Sequence, residues 1–364
     1  MDDHRAAAAG SSTAIAALEV FDVGPCDEPY QMGFLTGQNF SAMIKSRVAQ
    51  DQILQHQLLP FALTPQAEPL LESICVANRQ RYPRYWQELL GIAGGSGVPI
   101  LHILLLNFRK ELLPFVSKEE VAAEDDCSDV LVVNDSMAVA AHNEDANAAL
   151  VGHTFMVRAR LPDGLSFIAY SYAGELPSCA FGFNSNGIAF TLNSVPPKSE
   201  EITRGGGIGR NFISRDLLEA SNLEDALNRV CSTNIATGHS YNLVDLGTRR
   251  ILNVETASRN RHSVHEVKKT PFFHANMYLH LEVKQVEDEN SIRRQRRAAQ
   301  LSKETKAEIL SILGDSEDAK YPIYMTGPRL YTLCTVLMDA DERTISIFQC
   351  NPKEGNASLV LPMD

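Results

Sequence analysis

Apolar and polar residues follow two different patterns in the two parts of this chain. Over residues 29–116 apolar side chains recur at steps of three and four, as in QMGFLTGQNFSAMIKSRVAQ, which predicts amphipathic helices. We expect Gly94, Gly95 and Gly97 to end one of these helices. The charged segment SKEEVAAEDD, at residues 117–126, has the composition of a linker. The first part is therefore predicted to be helical and to end in a polar connection.

After the linker, the apolar residues alternate with polar ones or form short continuous runs. Turn sequences such as Pro162-Asp163-Gly164 and Asn186-Gly187 separate these runs, which is typical of antiparallel strands and hairpins. The remaining predicted elements are helical patterns at about 210–232, strands at 241–256 and 261–268, a helix at about 290–314, and the final strands LYTLCTVLMDA and RTISIFQC. The pattern predicts an α+β fold in layers.

Composition narrows the range of partners. The chain has 364 residues, of which 44% are hydrophobic, and a formal net charge of −12. An acidic protein lacks the basic face that nucleic-acid binding requires, so we expect a small-molecule partner and no nucleic acid. No apolar run is long enough to span a membrane, and the N-terminus lacks the pattern of a secretory signal. We therefore expect a cytoplasmic protein without membrane contact.

The cysteines indicate neither a disulfide framework nor a metal site. Their number is odd, and their spacing is irregular. The seven positions are Cys26, Cys75, Cys127, Cys179, Cys231, Cys334 and Cys350. A reducing compartment fits this distribution, and we expect no bound metal.

Cys127 has the most suggestive position, because it stands where the helical pattern gives way to strands. A thiol becomes a strong nucleophile when a base lies beside it. A buried structural cysteine at the start of a strand is the alternative. The next predicted strand ends in the polar run HNED, residues 142–145, which hairpin pairing would return to Cys127. That run could equally be an exposed hairpin end.

Two further motifs have an ordinary structural interpretation and a functional one. RGGGIGR, residues 204–210, could bind a phosphate through glycine amides that open onto a helix, but we favour a flexible loop there. RRQRR, residues 293–297, is a basic run that we assign to the solvated face of a helix.

A series of short motifs resembles the isopenicillin N acyltransferase family, which belongs to the N-terminal-nucleophile (Ntn) hydrolases and includes the insect β-alanyl-dopamine hydrolase. The motifs occur in the family's order along most of the chain. They are PYQMGFLTGQNF, RYPRYWQELLGIAGGSGVPILHILLLNFRKE, DDCSD, AHNED, GFNSNGIAFTLNS, FHANMYL and GPRLYTLCTVLMD. Each is modestly specific by itself, and their common order makes the resemblance strong.

The resemblance implies the fold and its division. It implies the four-layer αββα sandwich of Ntn hydrolases. Residues 1–126 would be a mostly helical, α-subunit-like segment, and residues 127–364 a β-subunit-like catalytic segment, integrated in one fold. Autocatalytic cleavage between Asp126 and Cys127 would leave the N-terminal fragment as a partner of the catalytic segment.

The resemblance also implies the catalytic residues. Cys127 would be the nucleophile, and its freed α-amino group the general base, because an α-amine titrates near neutrality. Asp145 would hold that ammonium in position. Asn276 would donate a hydrogen bond to the oxyanion of the tetrahedral intermediate. Arg329 would orient the cluster as a charge partner.

A second set of residues is implied to line the substrate pocket. These residues are Asn143, Tyr172, Asn193 and Ser240. The resemblance implies no cofactor, although a coenzyme A thioester is a candidate acyl donor.

One departure from the family bears directly on processing. The family often has glycine before the nucleophile, where this chain has Asp126 preceded by Asp125. Carboxylates at that place would raise the pKa of the thiol through like-charge proximity and slow processing.

The sequence leaves three functions open. The first is hydrolysis of a small N-acylated metabolite through a Cys127 thioester. The second is N-acylation of a small amine by an acyl-coenzyme A. The third is a chain that stays uncleaved and binds a ligand without catalysis, for which the departure at Asp126 is the argument.

Overall fold

Two β-sheets stack face to face in the computed structural model, which describes residues 17–116 and 125–364. Helices cover the outer face of each sheet, so the layers follow the order helix, sheet, sheet, helix. A separate hydrophobic core lies at each of the three interfaces between layers. The predicted α+β class and αββα layering are confirmed.

Within the described residues, the first sheet has eight strands. Strand β1 (Val20–Val23) lies at one edge and runs parallel to β4 (Thr154–Arg160), whereas the other neighbouring pairs are antiparallel. Across the sheet the strands are β1 (Val20–Val23), β4 (Thr154–Arg160), β5 (Ser166–Tyr172), β6 (Phe181–Asn184), β7 (Ile188–Ser194), β8 (His239–Asp245), β9 (Arg250–Ala257) and β10 (Arg261–Glu266). Because β1 precedes the linker, the N-terminal region contributes a strand to this sheet.

The second sheet has six antiparallel strands in the part of the chain that the structure describes. Across the sheet they are β11 (Phe272–His274), β2 (Asp125–Val133), β3 (Ala138–Asn147), β12 (Leu330–Asp339), β13 (Thr344–Phe348) and β14 (Leu359–Pro362). Strands β2 and β3 form a hairpin, as the sequence predicts.

Because side chains alternate along a strand, a single strand contributes residues to two hydrophobic cores. On β4, Phe155 and Val157 pack against the helices, while Met156 points into the space between the sheets. On β2, Leu131 points between the sheets, while Val130 packs against the outer helices. Successive strand residues face opposite sides, so both faces of each sheet are buried.

Helices of the N-terminal region cover the outer face of the first sheet. They are α1 (Pro29–Asn39), α2 (Ser41–Gln50), α3 (Leu59–Ala62), α4 (Glu68–Arg81), α5 (Pro83–Ser96), α6 (Ile100–Asn107) and α7 (Arg109–Leu112), with a further helical turn at Leu54–Leu58 and another at Leu113–Phe115. The helical prediction for residues 29–116 is confirmed. None of the helices in the described ranges is long and apolar enough to cross a membrane.

Glycines let α1 and α5 approach each other closely. A Cβ atom at Gly33 would lie 1.8 Å from the carbonyl oxygen of Glu88, and one at Gly95 would lie 2.0 Å from that of Phe34. The prediction that Gly94 and Gly95 end the helix is therefore wrong. Both lie within α5, and the helix ends at Gly97, whose φ of 70° is left-handed.

The two predicted helical regions of the later chain each form two helices, whereas the second of them was predicted as a single helix. The segment at about 210–232 forms α8 (Arg210–Leu217) and α9 (Leu223–Cys231), and that at about 290–314 forms α10 (Glu289–Ala299) and α11 (Lys306–Leu313). A capping side chain begins each second helix: Asn222 for α9 and Thr305 for α11. Helices α10 and α11 cover the outer face of the second sheet.

The predicted linker lies mostly outside the described residues, which resume at residue 125. Its last two residues, Asp125 and Asp126, are already part of β2. The strand therefore begins two residues earlier than the position of Cys127 suggested, and Cys127 lies within a paired strand.

Candidate active site

Cys127 lies near the start of β2 with its thiol directed into the space between the sheets. The side chain is 3% exposed, and Sγ donates to Oε2 of Glu144 at 3.8 Å. Glu144 is directly opposite Cys127 in the pairing of β2 with β3. Because strand side chains alternate, Asp126 and Ser128 point to the other face of the sheet, toward α10.

A buried row of polar groups extends from the thiol along the space between the sheets. The Tyr172 hydroxyl donates to Oε1 of Glu144. His142 Nε2 lies 3.0 Å from Glu144 Oε2, and His142 Nδ1 lies 2.9 Å from Asp129 Oδ1. Burial lowers the pKa of His142, but the carboxylates of Asp129 and Glu144 outweigh burial and raise the pKa to about 10. The imidazole is therefore a cation between two carboxylates at neutral pH.

The row continues into the first sheet. The Thr191 hydroxyl donates to Asp129 Oδ1 at 2.8 Å, and Asn242 Nδ2 donates to Thr191 Oγ1 at 2.9 Å. Asn253 Nδ2 in turn donates to Asn242 Oδ1 and to Ser240 Oγ, each at 2.8 Å. Hydrogen bonds thus join both sheets and fix the carboxylate that holds His142. The predicted pocket residue Ser240 lies at the far end of this row.

On the other face of β2, Arg294 holds the peptide segment around Cys127. Its side chain is fully buried on α10. Nη1 donates to the carbonyl oxygen of Cys127 at 2.5 Å and to Ser128 Oγ at 2.9 Å. Nη2 donates to Asp126 Oδ1 at 3.0 Å and to Asn276 Oδ1 at 2.9 Å. One guanidinium therefore fixes both sides of the Asp126–Cys127 bond.

Asn276 also contacts Cys127, through its side-chain oxygen. The backbone N–H of Cys127 donates to Asn276 Oδ1 at 2.7 Å. Asn276 Nδ2 donates to the carbonyl oxygen of Ser194 at 2.9 Å. In the uncleaved chain this residue thus presents an acceptor to Cys127, whereas the predicted oxyanion role requires its N–H.

Asp145 lies opposite Asp126 in the pairing of β2 with β3, on the face of the sheet away from the thiol. Oδ1 accepts from the Thr332 hydroxyl, while Oδ2 is buried without a hydrogen-bond partner among the described residues. Burial, and to a lesser extent the charge of Asp126, raises the pKa of Asp145 to about 8. The carboxyl is therefore mostly protonated at neutral pH.

The structure does not bring Arg329 to this cluster. Arg329 is exposed just before β12, and its side chain is absent from the polar contacts around Cys127 within residues 17–116 and 125–364. Arg294 is the charge partner there instead. Assigning the whole RRQRR run to a solvated face is wrong for Arg294, although Arg293 and Arg296 are exposed. The signal was the three- and four-residue spacing of Ser291, Arg294 and Ala298, which are all buried.

The other predicted pocket residues have three different environments. Tyr172 contacts Glu144 and lines a narrow cleft beside the site. Asn143 is fixed on the opposite face, where Nδ2 donates to the carbonyl oxygens of Leu313 and Ile323. Asn193 is fully buried on β7, and neither of its side-chain polar atoms has a partner within the described part of the chain. It lies two residues after Thr191 on the same strand, so both side chains face the space between the sheets.

The cleft beside Tyr172 is rich in charged side chains. It is lined by Asn147 at the end of β3, by two ion pairs, and by further polar groups from the helices. In the pairs, Arg47 Nη2 is 2.5 Å from Glu175 Oε1, and Arg109 Nη1 is 2.5 Å from Asp51 Oδ2. Tyr172 connects this cleft to the site, because its hydroxyl donates to Glu144, which lies opposite Cys127.

The glycine-rich segment 204–210 does not form a phosphate cradle. The backbone N–H of Gly209 donates to Asn78 Oδ1 at 3.0 Å, and that of Arg210 donates to Glu111 Oε1 at 2.9 Å. The amides at the start of α8 are thus satisfied by protein groups, which leaves them unavailable to an anion.

Three side chains at the site have the donor set of a metal ligand cluster. Ligand atoms of Cys127, His142 and Glu144 lie within 4.8 Å of one another. A metal requires the thiolate and a neutral imidazole. The carboxylates of Asp129 and Glu144 raise the pKa of His142, which favours the protonated imidazole over the neutral form that a metal needs.

Comparison with known proteins gives a consistent set of relatives. The sequence profile of the acyl-coenzyme A:6-aminopenicillanic acid acyl-transferase family matches residues 132–354. A β-alanyl-dopamine/carcinine hydrolase of Drosophila melanogaster is 27% identical over 366 aligned positions, which cover 92% of this chain and 94% of the hydrolase. The 40 kDa form of the acyl-coenzyme A:6-aminopenicillanic-acid-acyltransferase of Emericella nidulans is 27% identical over 165 positions, 45% of this chain and 44% of that protein.

Solved structures that match this chain in part include the N-acylethanolamine-hydrolyzing acid amidase ortholog of Caenorhabditis elegans. The similarity has a TM-score of 0.41 at 11% sequence identity, and it covers 65% of this chain and 100% of that one.

Proposed function

The chain belongs to the acyl-coenzyme A:6-aminopenicillanic acid acyl-transferase family, and on this basis we propose that it is a cysteine enzyme of the Ntn type that acts on amide bonds of small N-acylated metabolites. Two of its relatives are named a hydrolase and an acyltransferase. The observation that carries the proposal is the position of Cys127. Its buried thiol faces a carboxylate, and its backbone is held by Asn276 and Arg294.

The first proposed reaction is self-cleavage. Sγ of Cys127 attacks the carbonyl carbon of Asp126, and water then hydrolyses the resulting thioester. The concern that Asp126 would oppose ionisation of the thiol is met by its contacts. Its carboxylate pairs with Arg294 at 3.0 Å and accepts from Asn290 Nδ2 at 2.5 Å, so its charge is offset locally.

The second proposed reaction is turnover by the freed N-terminus. The α-amino group of Cys127 takes the thiol proton, and the thiolate attacks the amide carbonyl of the substrate. Asp145 has a buried oxygen without a partner among the described residues, and a new ammonium group nearby supplies the missing positive charge. Asn276 serves as oxyanion donor once its side-chain amide turns its N–H away from Ser194. Asn193, whose buried side-chain amide faces the space between the sheets as the thiol does, is a second candidate for this role.

The acyl-enzyme then transfers its acyl group either to water or to an amine. We place hydrolysis first because the named hydrolase aligns with nearly the whole chain. Transfer from an acyl-coenzyme A to a small amine is the second candidate, favoured by the family's description. The two share every step up to the thioester, so the nucleophile that reaches the thioester decides between them.

Trapping the acyl-enzyme tests the proposal. The purified chain is incubated with a set of N-acyl aryl amides that includes a β-alanyl amide, quenched in acid and digested for peptide mass analysis. We expect amine release and an acyl adduct on the peptide that begins at Cys127. Cys127→Ala should abolish both, while Cys350→Ala, at an exposed cysteine, should change neither. Amine release by Cys127→Ala at an undiminished rate would refute the proposal.

Adding a small amine separates the two candidate functions. Acylation of the amine by an acyl-coenzyme A, with little hydrolysis, would establish the transferase. Release of the free acid at the same rate with and without the amine would establish the hydrolase.

A further inference from the structure

The base proposed for turnover does not exist before the chain is cut. In the uncleaved chain the nitrogen of Cys127 belongs to a peptide bond, and its N–H donates to Asn276 Oδ1 at 2.7 Å. A peptide nitrogen is not basic, so it cannot take the thiol proton. If self-cleavage occurs as proposed above, on which this inference rests, another group must activate the thiol.

We propose that Glu144 is this base. It lies opposite Cys127 on the neighbouring strand, and its Oε2 is 3.8 Å from Sγ. Both side chains face the space between the sheets and are almost fully buried, Cys127 with 3% and Glu144 with 4% of its surface exposed. A general base needs direct hydrogen-bond contact with the proton that it takes, and such contacts are often longer in the resting protein than in the reacting complex.

The proton transfers balance through the reaction. Glu144 takes the thiol proton, and Sγ forms a bond to the carbonyl carbon of Asp126. The C–N bond between Asp126 and Cys127 breaks, and Glu144 returns the proton to the departing nitrogen. Water then adds to the thioester carbon, which regenerates the thiol and releases the main-chain carboxyl group of Asp126, whose proton passes to the freed α-amine of Cys127. One water molecule is consumed, and one peptide bond is lost.

His142 and Asp129 position this base. His142 donates to Glu144 Oε2 and Asp129 Oδ1, and the Tyr172 hydroxyl donates to the other oxygen of Glu144. The His142 ring nitrogen lies within 4.8 Å of the sulfur. As the proton moves, negative charge passes from Glu144 to the sulfur while remaining near the imidazolium. The net charge of the buried cluster is thus the same before and after the transfer.

The Asp126 side of the bond is served by a different set of groups. Arg294 and Asn290 hold the Asp126 carboxylate on the α10 face of the sheet, away from Glu144. The thiol and its proposed base lie on one face of β2, and the residues that fix the bond to be cut lie on the other. A substitution at Glu144 should therefore leave the hydrogen bonds of Arg294 and Asn290 to Asp126 unchanged.

The rate of self-cleavage in a pulse-labelled, cell-free translation of the full chain tests the inference. We expect Glu144→Gln to slow cleavage by about 100-fold or more, because general-base catalysis typically contributes about 100- to 10,000-fold. Glu111→Gln is the matched control, since Glu111 is also buried but contacts the start of α8. It should cleave at the wild-type rate.

Hydroxylamine, which cleaves thioesters, identifies the step that is blocked. Without its base, Glu144→Gln should stop before the thioester forms, so hydroxylamine should release no fragments from the uncleaved chain. Rapid release by hydroxylamine would mean that the thioester forms without Glu144, and the inference would be overturned.

Further measurements keep the test valid if Glu144→Gln fails to fold. Circular dichroism and the urea midpoint of each uncleaved variant are compared with those of Cys127→Ala. If Glu144→Gln does not fold, His142→Gln carries the test. It should fold, and it should cleave at least ten-fold more slowly than wild type because the base loses its cationic neighbour. Wild-type cleavage by a folded His142→Gln would then overturn the inference.

The outcomes also separate this inference from the proposed function. A wild-type chain that never cleaves contradicts the self-cleavage on which both rest. A wild-type chain that cleaves, a Cys127→Ala chain that does not, and a folded Glu144→Gln chain that cleaves at the wild-type rate contradict the role of Glu144 alone.

Discussion

At the scale of single residues, the surroundings of Cys127 differ on the two faces of its strand. The thiol faces Glu144 and His142 between the sheets, and the neighbouring Asp126 faces Arg294 on the other side. The first face provides groups that can move or stabilise a proton, and the second fixes the peptide bond. Substitutions on the two faces should therefore have separable effects.

A matched pair of arginine variants tests the assignment of the charge partner. In a Cys127→Ala background, Arg294→Met should lower the free energy of unfolding by about 3–5 kcal/mol, since removing one partner leaves the charge of Asp126 buried. Arg329→Ala should change it by less than about 0.5 kcal/mol, because Arg329 is exposed. Urea unfolding measures both. Equal losses, or a larger loss for Arg329→Ala, would contradict the assignment to Arg294.

The raised pKa of Asp145 predicts a pH dependence of stability before cleavage. Its pKa is about 8 in the folded chain, against an ordinary value of 3.8. Between these values the folded state keeps a proton that the unfolded state releases, so stability falls as pH rises and levels off above about 8. The slope contributed by this one group is at most about 1.4 kcal/mol per pH unit.

Asp145→Asn should remove that part of the slope, because an amide does not titrate. Urea unfolding of Cys127→Ala, with and without Asp145→Asn, at pH 5 and pH 8 measures the difference. Identical slopes in the two chains would show that Asp145 is ionised before cleavage. In an otherwise wild-type chain, Asp145→Asn should slow turnover after cleavage, since the new ammonium lacks its anion.

Thiol labelling of the active enzyme should single out Cys127. Burial raises the pKa of five other thiols: Cys26, Cys75 and Cys231, the last two to about 11, and Cys179 and Cys334, each well above the ordinary value. These thiols therefore stay protonated at neutral pH. Cys350 is exposed and should react without loss of activity. Peptide mass mapping during limited iodoacetamide treatment should show that activity falls in proportion to alkylation of Cys127. Loss that instead follows Cys179 or Cys334 would refute the role of Cys127.

Sequence reasoning identified part of this site and missed the rest for a physical reason. Family motifs pointed to Cys127, Tyr172 and Asn276. Asn276 accepts a hydrogen bond from the backbone N–H of Cys127, and Tyr172 contacts Glu144 beside the thiol. Arg294 was missed because a run of arginines usually indicates a solvated surface. Its burial depends on which side of α10 faces the sheet, and local composition does not reveal that. That Glu144 rather than Asp145 lies beside the thiol likewise depends on the register between β2 and β3.

At the scale of elements, the glycines of α1 and α5 have a packing role that the sequence pattern did not separate from helix termination. Gly33 and Gly95 face backbone carbonyls of the other helix at distances that no side chain could occupy. Gly94 faces the hydroxyl of Tyr30, a side chain that is 41% exposed and free to move. Composition alone does not distinguish a glycine that ends a helix from one that admits a neighbour.

Substitution at two of these glycines tests the packing. Gly33→Ala should lower the free energy of unfolding by about 1–3 kcal/mol, since overpacking against the Glu88 carbonyl outweighs the gain in helix propensity. Gly94→Ala should be neutral or slightly stabilising, because Tyr30 can swing aside. Thermal and urea unfolding of both variants provide the comparison. Equal effects of the two substitutions would contradict close packing as the reason for Gly33.

Element boundaries were predicted where local signals are strong. The hairpin of β2 and β3 and the helical N-terminal region follow from periodicity and turn residues. The division between α10 and α11 was missed, although Thr305 is a recognisable cap. The pairing of β1 with β4 joins distant parts of the sequence, and a short strand carries no signal of its partner.

At the scale of the whole molecule, the two predicted segments share their cores. Residues of α1 to α7 pack with α8, α9 and the outer face of the first sheet, and β1 completes an edge of that sheet. A cut at the Asp126–Cys127 bond would therefore leave the two fragments associated through buried apolar surface. The cut would free the N-terminus of Cys127 without dismantling the four layers.

The intact mass of the purified chain under denaturing conditions tests the central claim most directly. We expect two polypeptides, the larger beginning with Cys127 and the smaller ending with Asp126, in equal amounts and co-eluting under native conditions. Cys127→Ala, expressed in the same way, should remain a single chain of about 40.1 kDa. A wild-type chain that stays intact while it hydrolyses or transfers acyl groups, or a Cys127→Ala chain cut at the same bond, would contradict the account.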